Sequence, residues 1–406
     1  MSTAAVTRCL RFALLLWACA APATDWDASL DLRLVNSDAP RSYVDGGLGS
    51  VRFDKDDSTL QLGRARFALT QALGETWNAH LDASVWDDHD AHPLGITEAY
   101  LQFRPYPHAG YRLRVKAGAF YAPISLENRT SGWESPYTLS YSAINSWLAT
   151  EVRTLGAEAQ LDWLGSRMGH AFDLSVVGAV FGWNDQAGTV IAGDGFVLTD
   201  RQTNLGARVG QPGSPPLDGS KPFLETDGRP GGYAGLEARY LDRLTLRVLR
   251  YDNHADPTEI NAVAHVVAWH TTFTSAGARL ETQGGWTAIV QWLDGKTEID
   301  PNGSTLAWPF RSGFGLLSRR LGRHTFSARY DRFWVDTQGT DDGSQSGHAV
   351  TVAYVFEANA HWHLVLEWLR VANDSYNRPD LYGGSPWATQ TQVQLALRYA
   401  LGSQLR

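Results

Sequence analysis

The stretch Tyr111-Arg-Leu-Arg-Val-Lys-Ala-Gly-Ala-Phe-Tyr121 decides the fold class of this chain. Successive side chains of an extended strand point to opposite sides, so alternating residues separate onto two faces. The apolar face carries Leu113, Val115, Ala117 and Ala119, and the polar face carries Arg112, Arg114, Lys116 and Gly118. Such a strand fits a membrane barrel or a soluble sandwich, and the choice depends on how often the pattern repeats.

The alternating pattern recurs about sixteen times along the chain. The predicted strands lie near 26–36, 58–73, 76–88, 94–106, 111–121, 154–164, 170–183, 232–242, 244–253, 265–281, 285–298, 309–321, 324–336, 347–358, 361–372 and 389–401. Short turns and long loops alternate between them, which is typical of outer-membrane barrels with periplasmic turns and extracellular loops. We therefore predict an all-β fold, a transmembrane antiparallel β-barrel of about 16 strands.

The first residues have the features of a secretory signal peptide. Arg8 and Arg11 form a positive start, an apolar core follows, and Ala21-Pro22-Ala23 is a small-residue cleavage site. We predict a signal peptide over 1–23 and one barrel domain over 24–406, exported through the periplasm to a Gram-negative outer membrane. Both cysteines, Cys9 and Cys19, lie in the signal, so the mature chain forms no disulfide.

Composition narrows the class of function. The net charge of −8 argues against nucleic acid as a partner. The chain has 16 Trp, 15 Tyr and 15 Phe but only 2 Met, an aromatic enrichment that suits a membrane barrel. The acidic segments Asp54-Lys-Asp-Asp57 and Asp87-Asp-His-Asp90 could bind divalent cations through carboxylate oxygens, but they lack the spacing of a calcium loop, which favours solvated surface. We predict no metal site and no cofactor.

Aromatic residues fall where the two membrane interfaces of a barrel are expected. At the short-turn end they are Trp26, Trp77, Tyr106, Tyr111, Trp163, Phe172, Tyr240, Trp286, Phe326 and Trp362. At the long-loop end they are Trp86, Tyr121, Trp183, Tyr251, Trp292, Trp308, Trp334 and Trp368. The alternative, a soluble secreted all-β binding protein with scattered core aromatics, does not explain why their placement follows the turns.

The passage Val115-Lys-Ala-Gly-Ala-Phe-Tyr-Ala-Pro-Ile-Ser-Leu-Glu127 resembles the phosphate-selective porin O and P family of Gram-negative outer-membrane porins. The matching positions are Gly118, Phe120, Pro123, Leu126 and Glu127. The resemblance implies a trimeric barrel whose third loop folds inward to narrow the pore. Here that pore-constricting loop would be 122–153, with Glu127, Arg129, Trp133 and Glu134.

Charged residues on predicted lumen-facing positions are the candidate selectivity elements. They are Glu98, Arg104, Arg112, Arg114, Lys116, Glu158, Arg247 and Arg329. Two interpretations stay open: the cations favour anions, or they pair with carboxylates across strands and are neutralised. The predicted function is passive diffusion of small hydrophilic solutes through a water-filled channel, with an anion preference left open. The predicted partners are such solutes, outer-membrane lipid and lipopolysaccharide, and two further copies in a homotrimer.

The alternative from another class is an outer-membrane barrel enzyme that hydrolyses lipids or peptides. Its candidate histidines are His265, His270, His361 and His363. No nucleophile elbow, zinc-protease helix or local triad motif accompanies them, so we predict no enzyme activity. The segment 184–231 is predicted to be a long extracellular loop. It could carry a short extra strand near 196–209, cap the mouth of the barrel or reach over a neighbouring subunit, and a disordered surface excursion is the simplest interpretation.

Overall fold

A computed structural model describes residues 24–86, 93–213, 219–261, 266–339 and 343–403. The predicted signal peptide, 1–23, and the acidic segment 87–90 lie outside these described residues. The strands are β1 Thr24–Ser37, β2 Leu60–Leu73, β3 Trp77–Val85, β4 Leu94–Phe103, β5 Tyr111–Phe120, β6 Thr154–Trp163, β7 Phe172–Gly182, β8 Gly231–Tyr240, β9 Leu244–Asp252, β10 Ile260–Asn261, β11 Val266–Val267, β12 His270–Glu281, β13 Trp286–Ile299, β14 Leu306–Leu321, β15 His324–Val335, β16 Gln345–Glu357, β17 Trp362–Ser375 and β18 Trp387–Gly402.

Sixteen of these strands close into one antiparallel barrel, which confirms the predicted fold class. Each strand pairs with its sequence neighbours, β9 pairs with β12, and β1 closes the ring against β18. Strands β10 and β11 form a separate two-stranded ribbon in the loop after β9. Closure pairs every barrel strand on both sides, so lipid meets no unpaired sheet edge.

The outward face of the barrel is apolar, as the alternation predicts. Leu113, Leu161 and Val290 point outward and are 47%, 49% and 58% exposed. Because lipid surrounds a barrel of this width, these side chains meet acyl chains rather than water. Among the described residues, no helix is long and apolar enough to cross a membrane.

The aromatic positions at the short-turn end are exposed apart from the half-buried Trp163, whereas the long-loop end differs from the prediction. Trp183, Trp292 and Trp368 point outward there, but Trp86 and Tyr251 are buried. Tyr251 lies an odd number of residues from the outward Val248, so strand alternation turns its ring into the barrel. Tyr121 and Trp308 are buried as well.

The interior of the barrel is not the open, water-filled tube that the sequence predicts. Helices α1 (Ala143–Glu151) and α2 (Thr189–Gly193) lie inside the barrel, in the loops after β5 and β7, and a third, α3 (Arg378–Tyr382), follows β17. Every residue of α1 is buried. The indole ring of Trp147, in α1, packs against Phe273 and Phe310 of the barrel strands. Its centroid lies 5.2 Å from that of Phe273 and 5.0 Å from that of Phe310. An apolar core therefore fills part of the space inside the strands.

Candidate functional site

The basic strand β5 faces the lumen, and its cations contact carboxylates of the next strand, β6. Arg112 Nε and Arg114 Nε lie 3.2 and 2.8 Å from Asp162 Oδ2. Lys116 Nζ lies 3.3 Å from Glu158 Oε1. Pairing with carboxylates across strands therefore describes these contacts. The positive charge is not fully neutralised, because three cations face two carboxylates.

Two more strands, β8 and β9, continue this lumen wall. Arg247 contacts Glu237 through both Nε, at 2.9 Å, and Nη2, and Arg239 Nη2 lies 3.1 Å from the same carboxylate. A polar cavity of about 250 Å³ opens between these groups. Four cations and two carboxylates line it: Arg114, Lys116, Arg239, Arg247, Glu158 and Glu237. We call this surface of β4–β9 the basic wall.

Arg104, in the turn after β4, extends the basic wall toward the periplasmic end. Its partial burial, and then the charges of Arg112 and Arg114, lower the pKa of Arg104 from its ordinary value. The guanidinium stays protonated, since an arginine pKa begins above about 12. The part of the shift that comes from Arg112 and Arg114, separate from the effect of burial, reflects repulsion between neighbouring cations of the wall.

Glu98 and Glu158 accept hydrogen bonds from other protein groups, in addition to lying on the basic wall. Glu98 Oε1 accepts a hydrogen bond from the backbone N–H of Tyr121 at 3.0 Å, where the loop after β5 begins. Glu158 Oε2 accepts one from the Tyr233 hydroxyl at 2.6 Å. Both carboxylates therefore have structural contacts besides their neighbouring cations.

Residues 122–153, which we call the inward loop, cross the lumen from one side to the other. Near its start, Ser125 O accepts from Arg247 Nη1 of β9 at 2.9 Å. Farther on, Ser131 Oγ donates to Asp27 Oδ2 of β1 at 2.9 Å. The backbone N–H of Ser140 then donates to Glu367 of β17 at 3.1 Å. The loop thus contacts strands on opposite sides of the ring and lies across the lumen.

Arg329 of β15 binds the inward loop and does not face open water, although the sequence places it among the pore-lining residues. Its Nη1 lies 2.7 Å from Glu127 Oε1 and its Nε 2.8 Å from Asp331 Oδ2, and all three side chains are fully buried. It also donates to the carbonyl oxygens of Ser140 and Tyr141 at 2.7 and 2.8 Å. Arg329 is therefore an anchor for the loop.

The other loop positions named from the sequence have different surroundings. Glu134 accepts from Arg398 Nη1 at 2.9 Å and forms an ion pair with Arg64. The ring of Trp133 stacks on Tyr121 at 4.2 Å between centroids. The side chain of Arg129 is exposed. These residues thus form the tip of the inward loop beside β2 and β18.

Residues 184–231, which we call the second loop, also fold into the barrel, so the predicted surface excursion is wrong for most of their described part. Asp200 accepts from Arg33 Nη2 at 2.6 Å and Arg52 Nη1 at 3.2 Å. The backbone N–H of Phe196 donates to Gln345 of β16 at 2.8 Å. The apolar run Val190-Ile191 and Phe196-Val197-Leu198 is buried. That run was the available sequence signal, because exposed loops seldom carry so many apolar residues.

Glu151, at the end of α1, joins the two loops. It accepts hydrogen bonds from Trp147 Nε1 at 2.6 Å, from Val190 N at 2.8 Å and from Gly188 N at 3.1 Å. Burial raises the pKa of Glu151, although these donors act in the opposite direction. The inward loop and the second loop therefore fold as one unit inside the barrel.

A second cavity, of about 730 Å³, lies under the tip of the inward loop, next to β1, β2 and β16–β18. Its lining is mixed: Arg66, Arg398 and Glu134 bring charges, whereas Leu139 and Val365 are apolar. The inward loop thus separates two cavities, this mixed one and the one at the basic wall.

Acid is expected to loosen the loops. Burial would raise the pKa of Glu134, but the charges of Arg398, Arg64 and Arg66 outweigh it and hold that pKa below its ordinary value. A carboxylate with a lowered pKa stabilises the fold above the unfolded pKa of about 4.3, and this contribution disappears as the pH falls through the folded pKa. The unfolding temperature should therefore drop between pH 5 and pH 3. The variant Glu134→Gln should drop less, and an equal drop in both proteins would contradict the assignment.

The candidate catalytic histidines have contacts that do not resemble a hydrolase site. His270 Nδ1 lies 3.2 Å from Glu298 Oε1 and its Nε2 3.1 Å from Asp252 Oδ1, so both ring nitrogens contact carboxylates. His361 Nδ1 lies 2.9 Å from the Ala400 carbonyl oxygen. His265 lies outside the described residues. A general base needs one ring nitrogen directed at a nucleophile, and the contacts of His270 and His361 show none. The third described candidate, His363, lines the cavity under the inward loop.

Sixteen antiparallel strands and an apolar outer face together define a closed transmembrane β-barrel with a loop folded inside it. The fold class is shared with solved outer-membrane proteins. No protein-family model matches the chain, and no curated protein matches it.

Among solved structures, the chain is similar to the anion-selective porin from Comamonas acidovorans, with 13% identity, a TM-score of 0.54, and coverage of 93% of this chain and 99% of that chain. It is also similar to the outer-membrane channel DcaP of Acinetobacter baumannii, with 10% identity, a TM-score of 0.53 and coverage of 93% and 96%. A trimer form of OmpT, an outer-membrane protein of Vibrio cholerae, has 7% identity, a TM-score of 0.53 and coverage of 93% and 99%. At these identities the likeness concerns the fold.

Proposed function

We propose that this protein is an outer-membrane channel for passive diffusion of small hydrophilic solutes, with a preference for anions. The observation that carries the preference is the cavity at the basic wall, where four cations face two carboxylates. Fixed charges lining a passage act strongly on ions that come within the Debye length, about 10 Å at 0.1 M salt. The two inward-folded loops restrict the route, so the solutes are small.

The finer features of the proposal come from the resemblance and from the solved neighbours. Phosphate is the first anion to test, because the passage 115–127 resembles the phosphate-selective porins. A homotrimer is the proposed assembly, since a trimer form is known for one similar structure. Light scattering of the protein in detergent measures that assembly directly.

The selectivity is tested by bilayer conductance under a potassium chloride gradient, with the reversal potential as the measured quantity. We expect an anion-favouring potential for the natural protein. Replacing Arg112, Arg114 and Lys116 together by glutamine should lower the anion-to-cation permeability ratio about threefold or more, because the change leaves Asp162 and Glu158 as unpaired negative charges.

The matched control replaces the exposed turn arginines Arg167, Arg243 and Arg323 by glutamine, which changes the net charge by the same amount away from the wall. An equal effect of both triple variants would overturn the role of the basic wall. Folded barrels that give no conductance steps would instead overturn the channel, and screening for lipid and peptide hydrolysis would follow.

A further inference from the structure

A groove of about 510 Å³ lies on the lipid-facing surface where β12–β15 meet. Gly315 leaves its floor open, whereas the ring of Trp292 lies over Gly313. Trp292 and Tyr330, which are 43% and 50% exposed, form its sides. A Cβ placed on Gly315 would meet no atom within 4 Å, so the groove is open at that point. An apolar groove on the outside of a membrane barrel has the shape and chemistry to hold an acyl chain.

Two cations flank the extracellular end of this groove. Arg332 on β15 pairs with Gly313 in the sheet, and Arg250 on β9 pairs with Thr274, two residues from the groove residue Ala276. Both side chains belong to the outward-facing set of their strands. They therefore lie on the same surface as the groove.

The side-chain contacts of these two arginines in the described residues include no carboxylate. The Arg332 guanidinium lies 4.8 Å from the ring centroid of Trp334, and its Nη1 is 3.5 Å from His348 Nδ1. Arg250 Nη1 donates to the Thr274 hydroxyl at 3.2 Å. Between them, Arg311 faces two carboxylates, Asp294 across the sheet and Asp336 at 3.5 Å. The middle of the surface thus carries a net negative charge and its two sides are positive.

We propose that this surface binds a glycolipid of the lipopolysaccharide type, with an acyl chain in the groove and phosphates of the sugar headgroup at Arg250 and Arg332. The inference rests on the proposed outer-membrane location, because such a lipid occupies the extracellular leaflet. An unneutralised cation facing lipid is costly, and a phosphate compensates it by charge-assisted hydrogen bonds. The two arginines are four strands apart, roughly 19 Å at about 4.8 Å per strand. A headgroup that carries a phosphate at each end, together with two long arginine side chains, spans that distance.

The test titrates labelled lipopolysaccharide onto the folded protein in detergent and compares intact with dephosphorylated lipid. We expect Arg250→Gln with Arg332→Gln to weaken binding of the intact lipid about tenfold and to remove the preference for the phosphorylated form. Gly315→Leu, whose Cβ has no neighbour within 4 Å and whose side chain extends into the groove, should weaken binding of both forms.

The matched control is Arg319→Gln with Arg323→Gln, the same charge change at the periplasmic end of β14 and its turn, and it should bind like the natural protein. Equal weakening by both double variants, or equal binding of intact and dephosphorylated lipid by the natural protein, would overturn the site. Each variant is first checked for the folded barrel by its heat-dependent mobility on a gel. Conductance in bilayers free of this glycolipid tests the channel separately, so a failure of the lipid site is distinguishable from a failure of the proposed function.

Discussion

Replacing Arg329 by methionine should free the inward loop and raise the single-channel conductance. The guanidinium compensates Glu127 and Asp331, both fully buried, and binds two loop carbonyl oxygens. Removing one partner of a buried ion pair leaves an uncompensated charge and costs about 3–5 kcal/mol. The barrel ladders do not depend on this side chain, so we expect the loop to detach while the strands stay paired.

The measurement combines single-channel conductance with the unfolding temperature of the same preparation. The control is Arg370→Met, which removes an exposed, outward-facing arginine of β17 and should change neither quantity. Adding Glu127→Gln to Arg329→Met should restore part of the lost stability, since one of the two stranded charges is then gone. If Arg329→Met leaves both conductance and unfolding temperature unchanged, Arg329 does not anchor the loop.

The sequence predicts the barrel well because its strands carry their signal locally. In β5, the polar Arg112 and the apolar Leu113 are neighbours and show directly which face points inward and which outward. The other strands alternate in the same way. The same rule, applied to Tyr251 and Val248, would have placed the Tyr251 ring inside the barrel. For the aromatic residues, an odd or even position along the strand predicts the face of the side chain better than nearness to the strand end does.

The filling of the lumen was harder to predict because its contacts join distant parts of the chain. Arg329 and Glu127 are 202 positions apart, and alternation states only that Arg329 points inward, not what it meets there. Inward-facing Phe273 and Phe310 depart from the expected polar lining, since the buried Trp147 covers them. An apolar residue on the inner face of a wide barrel therefore indicates a loop that packs against it.

Replacing Trp147 by alanine should release the inward loop by a different route, through loss of packing. The indole is 1% exposed, packs on Phe273 and Phe310, and donates to Glu151 at 2.6 Å. Truncating a buried tryptophan costs about 3–5 kcal/mol through lost burial and the cavity left behind. Glu151 also loses one of its donors inside an apolar region, which adds to the penalty.

Limited proteolysis of the folded barrel distinguishes loop release from global unfolding. We expect new cleavage within residues 122–153 of Trp147→Ala, together with larger and noisier conductance steps, because the wall strands stay paired when the loop detaches. Trp368→Ala removes an indole that is 36% exposed to lipid and should leave the loop protected. Equal protection of the loop in both variants would mean that wall contacts such as Arg329 hold it without the apolar core. The two substitutions together therefore separate the contributions of charge and of packing to the restriction inside the barrel.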